Sequence, residues 1–232
     1  MKKIMFNDRY GLTRAVIEGR KTMTRRICKD NATGEVILAR EVEKWRYFPK
    51  ENQVLFLMKN GDIKTCTPQY TVGEEVAVAQ NYEDALEEYN RMGDTVGWGA
   101  LVGSTENGCR GYYNKMFVKA ELMPHRVKME AMKIEPVKGI TEEDCLKEGM
   151  EKDFAEGYPL YWFPVSHTGI SWKEYRQRVS EISRHIEGDA YTYFFDNPRE
   201  AFAALFEKRG VGGPGMWEKN PFVVAYGYRL ER

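Results

Sequence analysis

The sequence has few of the residues that build disulfide frameworks and metal sites. It contains four cysteines and three histidines among 232 residues, and neither set has the paired spacing of a zinc or disulfide motif. The cysteines are therefore expected to be reduced thiols, and neither a structural metal nor another cofactor is predicted. The residues concerned are Cys28, Cys66, Cys109, Cys145, His125, His167 and His185.

Long apolar runs and a surplus of one charge are also missing. No apolar stretch approaches the ~20 residues that span a bilayer, and residues 1–8 lack the apolar core of a signal peptide. A soluble, cytoplasmic protein with no membrane partner is expected. The 35 lysines and arginines balance the 35 aspartates and glutamates. This balance argues against a large non-specific nucleic-acid interface, although it is compatible with a local basic pocket.

The length of 232 residues favours one domain with insertions. Short apolar or alternating runs predict strands at 4–6, 53–58, 62–67, 76–80, 116–122, 127–137 and 222–228, with an Asn-Gly hairpin turn at 60–61. In the strand at 127–137 the alternation changes phase, which predicts a β-bulge near Ala131. Polar caps and terminal glycines predict helices that begin after Asn7 or Asp8, Thr141, Ser171 and Asn197. An α+β fold is therefore expected.

Two segments are predicted to be insertions. Residues 83–111 are polar, contain several glycines and have no steady period, so they are predicted to form a helical fragment and a long surface loop. Residues 151–170 are aromatic and irregular, and the predicted helix at Ser171 follows them. We therefore predict a helical insertion over 151–197.

Residues 19–26 have the most unusual composition in the chain. The run Gly-Arg-Lys-Thr-Met-Thr-Arg-Arg holds four cations, two hydroxyls and one large apolar side chain, which is not typical of a core segment. It is either a solvated basic loop at a helix end or an anion-facing or catalytic loop. If the loop contains a helical turn, Lys21 and Thr24 face one site. Glu148 is also notable, because it ends a helix where the dipole disfavours a carboxylate.

Three separated blocks carry a resemblance to a known family. They are the 19–26 loop, Ile-Thr-Glu-Glu-Asp…Glu-Gly at 140–149, and Trp217 followed by Asn-Pro-Phe at 220–222. Together they resemble ASCH-domain proteins of the PUA-like superfamily, most of all the longer members from phage-like and gut-bacterial settings. The resemblance implies one ASCH/PUA-like domain over 1–232, with a curled β-barrel flanked by helices and the two insertions.

The resemblance also implies a chemistry. The small bacterial ASCH enzymes are amidohydrolases that remove the acetyl group from N4-acetylcytidine. By this resemblance Thr24 is the nucleophile, Lys21 its base and Glu148 the proton donor to the leaving amine. A lysine can act as a base only if burial or neighbouring cations, such as Arg25 and Arg26, lower its pKa.

The expected partner is a nucleoside, a nucleotide or RNA, and the oligomeric state stays open. Candidate binding residues are Arg20, Arg25, Arg26 and Gln80, although many longer ASCH proteins have an acidic residue at the position of Gln80. Two alternatives remain. One is a non-catalytic binder of RNA or a modified nucleotide that uses the arginines for phosphate. The other is an accessory protein that contacts a partner through an exposed apolar patch.

Overall fold

A computed structural model describes residues 1–106, 108–155, 158–163 and 195–231, which form an α+β fold. The strands of this part are β1 Lys2–Ile4, β2 Met23–Ile27, β3 Val42–Phe48, β4 Gln53–Met58, β5 Ile63–Cys66, β6 Glu75–Val78, β7 Arg126–Pro136, β8 Glu151–Ala155, β9 Tyr158–Trp162 and β10 Phe222–Glu231. Its α-helices are α1 Leu12–Ile17, α2 Tyr82–Met92, α3 Thr95–Ser104, α4 Arg110–Tyr113, α5 Glu142–Lys147, α6 Pro198–Phe206 and α7 Met216–Lys219.

The main sheet has the strand order β1-β6-β7-β10-β2. β1 and β6 run parallel, and the other neighbours run antiparallel. The residues 222–226 of β10 are all buried, as expected for an apolar strand that lies between two others. β2 pairs with β10 at the edge of the sheet, where Thr24 lies opposite Tyr226 and Arg25 opposite Ala225.

A second sheet, β3-β4-β5, is an antiparallel meander. The predicted hairpin is confirmed, because β4 and β5 pair around a turn in which Gly61 has a φ of 89°. The Phe222 ring of the main sheet packs against the Phe56 ring of the second sheet, with centroids 5.0 Å apart. The two sheets therefore share one hydrophobic core. The strands of the described ranges form three separate sheets and do not close into a barrel.

The predicted β-bulge is confirmed in β7. Gly227 pairs with Ala131 and Tyr228 pairs with Met129, so Glu130 is the extra residue on the bulged strand. The extra residue reverses the inward and outward alternation, which explains the change of phase in the sequence.

The predicted helix caps are also confirmed. Thr141 accepts a hydrogen bond from the Asp144 backbone at 3.1 Å, and Asn197 accepts one from the Glu200 backbone at 2.9 Å. The opening helix is shorter than predicted. Asn7 caps a 3₁₀ turn over Asp8–Tyr10, and Gly11 then takes a left-handed conformation with a φ of 61° before α1 begins.

The loop prediction for 83–111 is wrong for most of the segment, because it forms α2, α3 and α4 around a second hydrophobic core. Two of its glycines, Gly97 and Gly111, allow close packing against tyrosine rings. A Cβ at Gly97 would lie 2.2 Å from the Tyr89 ring, and one at Gly111 would lie 2.2 Å from the Tyr82 ring. At these two positions glycine makes room for a tyrosine ring inside a helical segment.

Two further predictions differ from the structure. The predicted strand at 116–122 consists of two 3₁₀ turns. Lys3 Nζ donates to the carbonyl oxygens of Met116 and Val118 at 2.7 and 2.8 Å. In a strand these oxygens would accept hydrogen bonds from the backbone of a neighbouring strand, but here they accept from the lysine side chain. The described part of 151–170 is not irregular, because β8 and β9 form a hairpin. The predicted helix that begins after Ser171 lies outside the described residues.

No helix of the described residues has the length and apolar character needed to cross a membrane.

Candidate active site

Lys21, Thr24 and Arg25 of the 19–26 segment are buried, so the expectation that the segment does not belong to the core is wrong for these three residues. Its loop ends at Thr22, because β2 begins at Met23. Lys21, Thr24 and Arg25 are only 2%, 5% and 5% exposed. Thr24 therefore reaches the site from a strand and not from a helical turn. Buried cations need carboxylate partners, and these come from distant parts of the chain.

Lys21 is bound at the carboxyl end of α5. Its Nζ atom donates to Glu148 Oε2 and to the Glu148 backbone oxygen, both at 2.6 Å. The last carbonyl groups of a helix have no intrahelical partner, so the ammonium group satisfies both a free carbonyl and a carboxylate. This contact explains how a glutamate is accommodated where the helix dipole disfavours it.

Arg25 lies at the centre of a buried ionic cluster. Its guanidinium donates to Glu148 Oε1 at 3.0 Å, to Glu135 Oε1 at 2.8 Å and to Asp144 Oδ2 at 2.9 Å. The arginine thereby joins β2 to β7 and α5. Burial opposes its charge, but the neighbouring carboxylates of Glu148 and Glu135 more than compensate and raise the pKa of Arg25. Each oxygen of Glu148 thus faces a different cation.

The environment of Lys21 lowers its pKa below the ordinary value of 10.5. Burial is the main cause. The charge of Glu148 acts in the opposite direction, whereas Arg26 and Arg25 lower the pKa further. This is the condition that a lysine must meet to serve as a base at moderate pH. Beside it, burial and the charge of Glu148 raise the pKa of Tyr228 well above its usual value, so this phenol stays neutral.

Lys21, Thr24 and Glu148 line one small cavity, which we call the inner cavity. Its volume is about 20 Å³, enough for about one water molecule. The wall is mostly apolar and is completed by Phe6, Asn7, Leu12, Arg25, Arg26, Phe202, Leu205, Phe206, Gly210 and Val211.

A larger opening of about 480 Å³ lies next to the inner cavity, and we call it the outer groove. The two spaces share Phe6, Asn7, Arg26 and Gly210. Arg26 Nη2 donates to the Met5 carbonyl at 2.7 Å, whereas Arg26 Nε is buried and has no acceptor among the described residues. The two spaces are therefore adjacent, and the four shared residues form part of both walls.

Two of the predicted site residues lie elsewhere. Arg20 pairs with Glu18 at 2.6 Å and with Glu151 at 3.0 Å, and it lines neither space. Gln80 follows β6, is 4% exposed and has a buried Oε1 atom without a partner. It also lines neither space. The structure thus brings Lys21, Thr24, Arg25, Arg26 and Glu148 together, and it leaves Arg20 and Gln80 outside.

Sequence reasoning did not identify three charged residues that matter here. Asp144 was assigned only to a helix cap, yet its side chain binds Arg25. Glu135 lies between an isoleucine and a proline in β7 and is 6% exposed; four other charged residues lie in the same strand, so nothing in the sequence distinguished it. Arg9 lines the outer groove, and nothing in the sequence distinguished it.

Comparisons with protein-family models, with curated proteins and with solved structures find no match. Within the described residues, no group of histidine, cysteine and carboxylate side chains is arranged to hold a metal ion. The chemistry of the site must therefore be inferred from its own residues.

Proposed function

We propose that this chain is an ASCH-type amide hydrolase that removes the acyl group from an acylated cytidine-like nucleoside or nucleotide. One observation carries the proposal: Lys21, Thr24 and Glu148 line one cavity, and Lys21 Nζ lies 2.6 Å from Glu148 Oε2. These residues come from a loop, a strand and a helix. In this proposal the two packed sheets correspond to a PUA-like curled barrel.

The buried pair can supply both proton transfers of the first step. In the reactive state one proton has moved from Lys21 to Glu148, which leaves a neutral amine beside a carboxylic acid; burial lowers the pKa of Lys21 and so favours its neutral form. Thr24 then attacks the acyl carbonyl and gives its proton to Lys21. Glu148 protonates the leaving exocyclic amine. This step forms a threonine ester, releases the amine and restores the ion pair.

The second step reverses these roles. Water attacks the ester carbonyl and gives a proton to the Glu148 carboxylate, while Lys21 returns a proton to the Thr24 oxygen. The acid is released, and the neutral pair is regenerated. Arg25 is well placed to stabilise the Glu148 carboxylate between the steps, because it donates to Oε1 at 3.0 Å. Every proton is conserved within the three residues and the reactants.

The non-catalytic binder has less support, because two of its three arginines are already occupied. Arg25 binds three carboxylates, and Arg20 binds two. A phosphate would have to compete with these buried or partly buried ion pairs. A hydroxyl nucleophile at Thr24 is also unnecessary for a site that only binds.

Turnover of N4-acetylcytidine tests the proposal, with free cytidine followed by chromatography. Thr24→Val keeps the shape of the side chain but removes the nucleophile, so activity should fall at least 100-fold. Thr24→Ser should retain activity. Thr22→Ala is the matched control, because Thr22 belongs to the same segment and does not line the inner cavity. Equal activity of Thr24→Val and the wild type would contradict the proposal.

A wild-type protein that binds N4-acetylcytidine without releasing cytidine would instead support the binding module. Thermal unfolding of each variant shows whether the fold is intact.

A further inference from the structure

The outer groove carries an excess of positive charge. Three cations, Arg9, Arg26 and Lys115, line it together with one carboxylate, Asp8. Its volume of about 480 Å³ is in the range of small-molecule sites, which is about 300–1,000 Å³. The inner cavity alone is too small for a nucleoside, so a substrate must place most of its atoms in the outer groove.

Lys115 and Asp8 neutralise each other. Lys115 Nζ lies 2.7 Å from Asp8 Oδ1 and also donates to Thr13 Oγ1 at 3.1 Å and to the Phe6 carbonyl. All three of its protons are therefore used within the protein. This lysine supports the wall of the groove and is not free to bind a ligand.

The two arginines are not neutralised in this way. Arg9 is exposed, and within the described ranges it has no carboxylate partner. Arg26 likewise has no carboxylate partner there; its acceptor is the Met5 carbonyl, and its Nε is buried without one. A guanidinium with unsatisfied donors at a cavity wall is a good phosphate ligand, because it offers paired donors and a permanent charge.

We propose that the outer groove binds the phosphate of a phosphorylated nucleoside through Arg9 and Arg26. The position of the base rests on the proposed function: with the phosphate in the groove, the acylated amine reaches Thr24 in the inner cavity. The natural substrate is then a nucleotide or a nucleotide unit of RNA rather than a free nucleoside. Arg26 links the two parts, because it lines both spaces.

Calorimetric binding of cytidine and of cytidine 5′-monophosphate tests this inference without any turnover. In 50 mM salt the wild type should bind the monophosphate at least tenfold more tightly than cytidine. Arg9→Gln should remove most of this difference. Arg40→Gln is the matched control, because Arg40 is an exposed arginine with a weak partner, Glu41, and lies outside both spaces.

Equal affinity for the two ligands, or an unchanged preference in Arg9→Gln, would overturn the inference. A cytidine trinucleotide separates the two sources of phosphate: tighter binding than the monophosphate identifies RNA, and weaker binding identifies the free nucleotide. Turnover of N4-acetylcytidine is measured in parallel. Turnover without a preference for phosphate overturns this inference alone, whereas a preference without turnover overturns only the hydrolase.

Discussion

Lys21 and Glu148 lie 127 positions apart in the sequence, yet Lys21 Nζ donates to both the side chain and the backbone carbonyl of Glu148 at 2.6 Å. The contact fixes the lysine from two directions. A lysine held in this way cannot turn towards solvent without leaving a buried carboxylate and a helix-end carbonyl unsatisfied. The proton that the two residues share is therefore retained inside the protein.

The first prediction concerns the pH dependence of stability. Because burial lowers the pKa of Lys21 below 10.5, the unfolded chain binds more protons than the native protein between the native pKa and 10.5. The free energy of unfolding of the wild type, relative to Lys21→Met, should therefore rise with pH in this window and stay level below it. Urea unfolding of both proteins at several values between pH 7 and 10.5 measures the difference. A difference that falls with pH would contradict the prediction.

The second prediction concerns the ionic cluster. Arg25→Met leaves three carboxylates facing each other without their shared cation, and loss of one partner from a buried pair costs about 3–5 kcal/mol. Urea unfolding should show a loss of this size. Arg14→Met is the control, since Arg14 is 63% exposed and pairs only with Glu18 on the surface. A loss for Arg25→Met as small as that of the control would show that the cluster does not stabilise the fold.

The third prediction uses two glycines of α3. At Gly97 a Cβ would lie 2.2 Å from the Tyr89 ring, whereas at Gly99 the space is open. Gly97→Ala should destabilise the protein by about 1–3 kcal/mol. Gly99→Ala should stabilise it by up to about 1 kcal/mol, because alanine favours a helix. If both variants shift the unfolding midpoint in the same direction, the packing of α3 on α2 is not as described.

The fourth prediction concerns thiol reactivity. Burial raises the pKa of Cys145 to about 12, and its side chain is fully buried. Cys109 is partly exposed, whereas the other three cysteines are buried. At pH 8 a thiol reagent should modify Cys109 in the native protein and reach Cys145 only after unfolding. Cys109→Ser should abolish the modification of the native protein. If the native variant is still modified as fast as the wild type, Cys109 is not the reactive thiol.

Local signals predicted local structure well. Thr141 and Asn197 cap helices, Asn60 and Gly61 form a hairpin turn, and the phase change at Ala131 marks a bulge. Each of these features depends on a few neighbouring residues. The positions of Lys21, Thr24 and Glu148 around one cavity could be anticipated only from the resemblance of their motifs to a family.

The failures share one physical cause, which is a partner far away in the sequence. Arg25 was expected to face an anion in solution, but its carboxylates Glu135 and Asp144 lie 110 and 119 positions away. Composition within a short window cannot distinguish a solvated cation from one that remote carboxylates neutralise. Gly97 and Gly111 are similar, because the rings of Tyr89 and Tyr82, which no short sequence window places beside them, leave no room for a Cβ there.

Among the described strands, β10 is the only one that pairs with β2, and the Tyr228 hydroxyl donates to the carbonyl oxygen of Met23, 205 positions earlier. During translation at about 5–20 residues per second, the segment with Lys21, Thr24 and Arg25 therefore waits roughly 10–40 seconds for its partner strand. Until then its cations remain hydrated outside any core. The segment with Lys21 and Thr24 is thus among the first parts of the chain to be synthesised, whereas β10 is the last strand of the described residues to emerge. Under the proposed function, a ribosome-bound chain should be inactive until β10 has emerged.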